Sequence, residues 1–161
     1  MKMTNDLPVT PDQIPLSVPV WAATKLLPIF TGQMPLPPST NSAYMVGKIH
    51  TEKGDVYRII PSPALEQFKS EAAFKLSQAH HDYATINAIR ESKRKVPLAV
   101  VLRAYFATEW KRDLDGVIKF SIDAAFTRMQ LNDNLIIQLE AHKFVDPQEP
   151  RVEIDVRCVV R

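Results

Sequence analysis

The residues with the most chemical content are acidic and closely spaced. Arg112-Asp113-Leu114-Asp115-Gly116-Val117-Ile118-Lys119 is followed by Asp123 and later by Asn132-Asp133-Asn134. Carboxylates about 4 Å apart repel by roughly 4 kcal/mol at an effective dielectric near 20, so a convergent cluster needs a cation or a proton. Magnesium suits such a cluster: it takes oxygen ligands and keeps waters, leaving places for a phosphate oxygen and an attacking water. Phosphodiester hydrolysis needs both, because the metal activates water and offsets charge developing in the transition state. Lys119, one turn after Asp115, is placed to neutralise a carboxylate, hold it, or stabilise a phosphate.

The same residues have a plainer reading. Asp113 is a natural N-cap, Asp115 is favourable near a helix N-terminus, and Asp115, Lys119 and Asp123 make an ordinary i,i+4 ladder of charges. On spacing alone the plainer reading is favoured.

The elements that must position these side chains follow from hydrophobic periodicity. Leu114, Ile118, Ile122, Ala125 and Met129 mark a helix of about 16 residues starting beside Asp113. A helix also follows Pro61 and Pro63, with Leu65, Phe68, Ala72, Leu76 and Ala79 on one stripe and Ser62 as its N-cap. Leu98, Val100, Leu102, Ala104 and Phe106 alternate with a second, largely apolar set, which indicates an interior strand. Two further strands run from Leu135 to Phe144 and from Arg151 to Val160. In the last, Val152, Ile154, Val156, Cys158 and Val160 face inward, and Arg151, Glu153, Asp155 and Arg157 outward. Ala43 to His50 and Val56 to Ile60 form a hairpin about the polar segment Thr51-Glu52-Lys53-Gly54-Asp55. His80 to Lys95 reads either as continued helix or as a break near the paired histidines. Asp133 begins the strand after the site helix, and the turn between them is expected to carry its carboxylate back to the helix N-terminus. The fold class is α+β (α/β), with a mixed sheet packed with two main helices.

At 161 residues and 45% apolar content, one compact domain can bury a core without a disulfide or structural metal. Eight of the thirteen prolines lie within the first 38 residues, which excludes regular helix and central strand there. Residues 1–30 therefore read as a Pro-rich N-terminal arm and residues 31–161 as the domain. Ile14, Leu16, Val18, Val20, Trp21, Leu26, Leu27 and Ile29 are too apolar for a solvated tail, so part of the arm is expected to pack on the domain or a partner subunit. Prolines interrupt any signal-peptide pattern, and no apolar run reaches the roughly 20 residues of a membrane span. The single cysteine, Cys158, reads as a buried thiol, and a cytoplasmic location is expected. A net charge of +2 confines nucleic-acid binding to local patches.

Several separated segments together resemble the RusA family of crossover-junction endodeoxyribonucleases. Met34-Pro35-Leu36-Pro37-Pro38-Ser39-Thr40-Asn41 is similar to the family's proline-rich signature ending in asparagine. Arg112-Asp113-Leu114-Asp115, with Lys119 and Asp123, resembles its Asp-Leu-Asp helix. Leu131-Asn132-Asp133-Asn134, with Lys143 ten residues after Asp133, resembles its Asp-Asp segment and following strand. These run in the family's order over residues 34 to 157. The resemblance implies Asp113, Asp115 and Asp133 as catalytic metal ligands, Lys119 as a catalytic lysine and Asp123 as a supporting acid. It implies magnesium, with manganese as a possible substitute, and a homodimer that resolves four-way DNA junctions by paired nicks in recombination and repair. Two departures stand out: Gly116 replaces the usual asparagine, and Asn132 replaces the first acid of the pair. Both bear on metal affinity or helix rigidity, and they motivate an alternative, a branched-DNA binding protein whose nuclease activity has decayed. A nuclease for flaps or forks is a third reading.

Lys48 and Arg58 on the hairpin, Lys111 and Arg112 beside the acidic site, Lys143 and Asn41 are the candidate DNA contacts. Arg90, Lys93, Arg94 and Lys95 form the densest basic run, equally suited to a solvated loop. Adjacent His80 and His81 diverge on a helix, so no zinc site is expected, and Trp21 and Trp110 read as packing residues. No Gly-rich phosphate loop is present, which argues against a nucleotide cofactor.

Overall fold

The computed structural model describes residues 25–109 and 114–160. Trp21, Trp110, Lys111, Arg112 and Asp113, and most of the proline-rich arm, lie outside the described residues. The elements run β1 (Lys25–Met34), α1 (Thr40–Ala43), β2 (Tyr44–Thr51), β3 (Gly54–Pro61), α2 (Pro63–Ser77), β4 (His80–His81) and α3 (Tyr83–Glu91). They continue with β5 (Leu98–Phe106), α4 (Leu114–Met129), a 3-10 turn (Asp133–Leu135), β6 (Ile136–Val145) and β7 (Arg151–Val160).

Five strands form one mixed sheet in the order β4-β1-β7-β5-β6. β5 and β6 are parallel, and the other pairings are antiparallel. A parallel pair needs a crossover connection, and α4 supplies it. Leu98, Val100, Leu102, Ala104 and Phe106 on β5, with Val152, Ile154, Val156 and Cys158 on β7, are all buried on the face that α2 and α4 cover. The anticipated α+β class with a mixed sheet is what the chain adopts.

The helix signals act as their chemistry requires. Ser62 Oγ accepts the Leu65 backbone N–H at 3.3 Å, which satisfies one of the orphan donors of α2, and Leu65, Phe68, Ala72 and Leu76 are buried beneath it. α4 buries Val117, Phe120, Ile122, Ala125, Phe126 and Met129. Asp82 caps α3, accepting from Thr85 N–H at 3.1 Å and Thr85 Oγ1 at 2.6 Å. The stretch left open after the first helix thus resolves into a two-residue edge strand and a third helix.

Two expectations are corrected. Residues 25–30, assigned to the arm, belong to β1, which lies inside the sheet between β4 and β7. Pro28 lies opposite Arg157 of β7, and the register shifts between Pro28 and Phe30, a bulge being a setting in which a strand tolerates proline. Asp155, expected on a wet face, is only 8% exposed; its Oδ2 accepts from Arg157 Nε at 2.8 Å, while Oδ1 is buried without a hydrogen-bond partner among the described residues. Cys158 is buried as anticipated, and that burial pushes its thiol pKa up.

β2 and β3 form the expected hairpin as a separate two-stranded sheet. Gly54 closes its turn at φ +116°, a conformation glycine takes at little cost.

Candidate functional site

Asp115 is the second residue of α4 and is exposed to solvent. Its Oδ1 accepts the Gly116 backbone N–H at 2.7 Å, which fixes the side chain at the helix start. One turn on, Lys119 Nζ lies 3.5 Å from Asp123 Oδ2, and both side chains are more than half exposed. The Lys119–Asp123 rung of the ladder read from the spacing therefore forms, and it faces solvent.

Lys143 belongs to the same end of the molecule. It pairs with Ala104 on β5, near the end of the strand that leads into α4. Its Nζ donates to the Glu109 carbonyl at 2.8 Å and lies 5.1 Å from the centre of the Phe106 ring. The lysine thus ties the end of β6 to the segment that approaches α4.

Asp133 is elsewhere. It opens the 3-10 turn that precedes β6, so it is not part of the strand as expected. Fourteen residue steps of helix separate Asp115 from Met129, about 21 Å at 1.5 Å per residue. After that the chain enters β6 with Ile136 opposite Leu98, at the far end of β5 from Phe106. Asn134, next to Asp133, lines a cavity with Lys95, Val96, Pro97 and Val159, which fixes the turn at that far end. The expectation that the turn carries Asp133 back to Asp115 is not met within one chain. The cause is the crossover: a helix joining two parallel strands places its own start and the next strand's start at opposite ends of the strands. Among the described residues no group of three or more metal-ligating side chains converges.

Both departures from the family pattern have structural roles. Asn132 Oδ1 accepts the Asn134 backbone N–H at 2.9 Å and caps the 3-10 turn. Gly116 is buried, and a Cβ built there would lie 2.6 Å from Thr40 Oγ1 and 3.3 Å from the Thr40 backbone N. The α1 turn therefore presses on the start of α4 beside Asp115, and Asn41 is the next residue of that turn. Thr40 was not singled out from the sequence; a glycine inside a helix, where it is disfavoured, was the available signal of a close approach.

The two hairpin cations lie on opposite faces of β2–β3. Lys48 pairs across the hairpin with Tyr57 and Arg58 with Gly47, so their side chains leave opposite faces. Lys48 is held by Asp55 at 2.5 Å, and His50 lies at the same distance from that carboxylate. His81, expected not to bind zinc, stacks on Tyr83 with ring centres 4.9 Å apart, its Nδ1 2.7 Å from the Ala79 carbonyl. Arg90 hydrogen-bonds to Gln130 Oε1 and Asn87 Oδ1, within the fold.

A protein-family model described as Endodeoxyribonuclease RusA matches residues 35–157. The chain belongs to the RusA endodeoxyribonuclease family. The RusA match spans α1, the hairpin and the whole α4–β6 segment, so Asn41, Asp113, Asp115, Lys119, Asp133 and Lys143 all fall inside it. No curated protein matches the chain. Among solved structures, 2C-methyl-D-erythritol 2,4-cyclodiphosphate synthase from Plasmodium vivax is 8% identical with a TM-score of 0.31, covering 86% of this chain and 99% of that one. IspF from Plasmodium falciparum in a CDP complex is 8% identical with a TM-score of 0.27, covering 81% and 94%. At these scores neither structure bears on the fold or the function of this RusA chain. No helix among the described residues is long and apolar enough to cross a membrane.

Proposed function

We propose that this protein is a Holliday-junction resolvase, a homodimer that cuts four-way DNA by paired, magnesium-dependent nicks. RusA membership supports a DNA endonuclease, and the geometry of α4 supports the dimer. Asp115 and Asp133 lie at opposite ends of one chain, so two chains packed with α4 ends exchanged bring Asp115 of one to Asp133 of the other, twice. The single observation that carries this reading is that separation. Each composite site nicks one strand, and a twofold dimer presents two sites to the symmetry-related strands of a junction.

The donor set fits magnesium: exposed carboxylates are hard oxygen ligands, and Asp115 has a second oxygen beyond the one bonded to Gly116. Asp113 and Asp115, with Asp133 of the partner subunit, would hold the ion. When bound there it supplies an activated water and offsets charge on the scissile phosphate. Lys119, in solvent one turn from Asp115, exchanges its weak partner Asp123 for a phosphate oxygen. Lys143 holds the approach to α4 through the Glu109 carbonyl, and Arg58, Lys48, Asn41, Lys111 and Arg112 supply backbone contacts to DNA. Manganese serves as an alternative ion.

The hairpin supports a second chain as well. Val46, Tyr57 and Ile59 are 67%, 67% and 77% exposed, and a two-stranded hairpin is marginal in water unless its apolar face is covered. Against the reading as a decayed, binding-only protein, Gly116 and Asn132 each have a local structural task, and junction binding without cleavage in magnesium or manganese would favour that reading. The test is a synthetic four-way junction incubated with magnesium: the wild type cuts it in preference to a fork or linear duplex, and Asp115→Asn abolishes cutting while retaining binding. Undiminished cutting by Asp115→Asn removes the proposed mechanism.

A further inference from the structure

The contact between Gly116 and Thr40 joins two segments far apart in sequence at the one helix end that carries Asp115. Gly116 is buried, and a Cβ there would lie 2.6 Å from Thr40 Oγ1, 3.3 Å from Thr40 N and 3.7 Å from Thr40 Cβ. The first distance is far inside van der Waals contact, and the second involves backbone, which has no rotamer with which to retreat. Thr40 can turn its hydroxyl aside, but its methyl then competes for the same space in one of the remaining staggered positions. The backbone N–H of Gly116 is at the same time bonded to Asp115 Oδ1. One residue thus touches the carboxylate on one side and the α1 turn on the other. α1 runs directly into the hairpin: Ala43 is its last residue and Tyr44 the first of β2.

We infer that Gly116 forms a notch in α4 that seats Thr40, and that Thr40 is a positioning residue setting the Asp115 carboxylate in register with the α1–hairpin segment. The inference rests on the proposed site for its catalytic consequence but not for the contact itself. A glycine in the first turn of a helix is ordinarily a cost relative to alanine, which the chain accepts here because only hydrogen fits beside Thr40. The hairpin, bearing Arg58 and Lys48, is thereby referenced to the acidic site through Thr40, beside the packing of Tyr44 on Phe120 of α4 one turn further on, with ring centres 6.2 Å apart. Thr40→Ala removes the hydroxyl and the γ-methyl, more than the one methyl that Gly116→Ala adds, so the double variant has room for the new Cβ.

The experiment compares Gly116→Ala, Thr40→Ala and the double variant as full-length protein. Three readouts are used: thermal melting, calorimetric binding of manganese alone, and cleavage of a four-way junction. At an uncrowded helical site Gly→Ala raises Tm by about 2–4 °C in a domain of this size. Here Gly116→Ala is expected to melt no higher than wild type and to bind manganese about tenfold more weakly, with a matching loss of cleavage. Thr40→Ala loosens the seat and lowers cleavage by a factor of about 3–10, as small misplacements of catalytic groups do. The double variant is expected to recover manganese affinity to within about threefold of wild type and to melt above Gly116→Ala. A Gly116→Ala protein that melts higher than wild type with unchanged manganese affinity overturns the inference. So does a double variant no better than the worse single one. If wild type neither binds manganese nor cleaves, the nuclease reading fails, and melting of the three variants still decides the contact.

Discussion

Removing Lys119 separates a surface charge ladder from a catalytic role. The Lys119–Asp123 pair spans 3.5 Å with both side chains more than half exposed. Two unit charges at that distance attract by about 1 kcal/mol in water, and side-chain ordering and salt reduce the net value of an exposed i,i+4 pair to about 0.3–0.5 kcal/mol. Lys119→Ala also exchanges a good helix former for the best one, which offsets a few tenths of a kcal/mol. The melting temperature is therefore expected to move by less than about 2 °C. If Lys119 offsets charge on the scissile phosphate, junction cleavage falls by about 10²–10³-fold, the loss seen when one preorganised electrostatic contact is removed. Asp123→Asn removes the same ion pair and is expected to keep cleavage within about threefold of wild type, because the lysine remains. The assay is single-turnover cleavage of a labelled four-way junction at saturating magnesium, with a melting curve for each variant. Lys119→Ala cleaving within threefold of wild type would refute the catalytic role. A fall in Tm as large as that of a core truncation would refute the claim that the pair is structurally minor.

Two other predictions concern the scaffold. Ile154 is fully buried on the helix-covered face of β7, so Ile154→Ala should cost about 2–5 kcal/mol in chemical denaturation, with cleavage per folded molecule unchanged. Asp146 bonds Arg151 at 2.7 Å across the turn from β6 to β7, and that hydrogen bond, with backbone N–H groups of Gln148 and Glu149, holds its carboxyl below the ordinary value of 3.8. A carboxyl lowered on folding stabilises above its unfolded pKa and ceases to as pH falls through its folded one. Wild type should therefore melt above Asp146→Asn at pH 6, with the gap closing as pH is taken below about 4. A gap that does not narrow as the pH falls contradicts the assignment.

Much of the scaffold was legible in the sequence because burial imposes period. The β5 and β7 alternations and the stripe of α2 read directly, as did Ser62 as a cap. β1 was missed because its first six residues were read together with the proline-rich stretch around them. A bulge beside Pro28, a tertiary fact, relaxes the conflict that proline ordinarily creates. α3 is short, and its nine residues bury only Ile86 and Ile89, too few for a clear stripe. Asp155 read as solvent-facing from its position in the alternation, which reports the face of the strand but not how tightly its neighbours close over it. The carboxylates were legible as residue types, and their partition between two ends of α4 was not. That partition depends on β5 and β6 being parallel, and strand direction leaves no mark on hydrophobic period. Gly116 read as a weakening substitution until Thr40 was seen beside it.

The central claim, that Asp115 of one chain and Asp133 of the other serve one ion, is tested most directly by subunit complementation. Asp115→Asn and Asp133→Asn are each prepared as inactive homodimers, then co-expressed so that chains mix. In a mixed dimer a composite arrangement leaves one site with both mutations and the other with none. Random pairing makes about half the dimers mixed, so nicking should return to about a quarter of the wild-type level, as single nicks without paired resolution. A mixture as inactive as either parent, in dimers shown to contain both chains, contradicts the account.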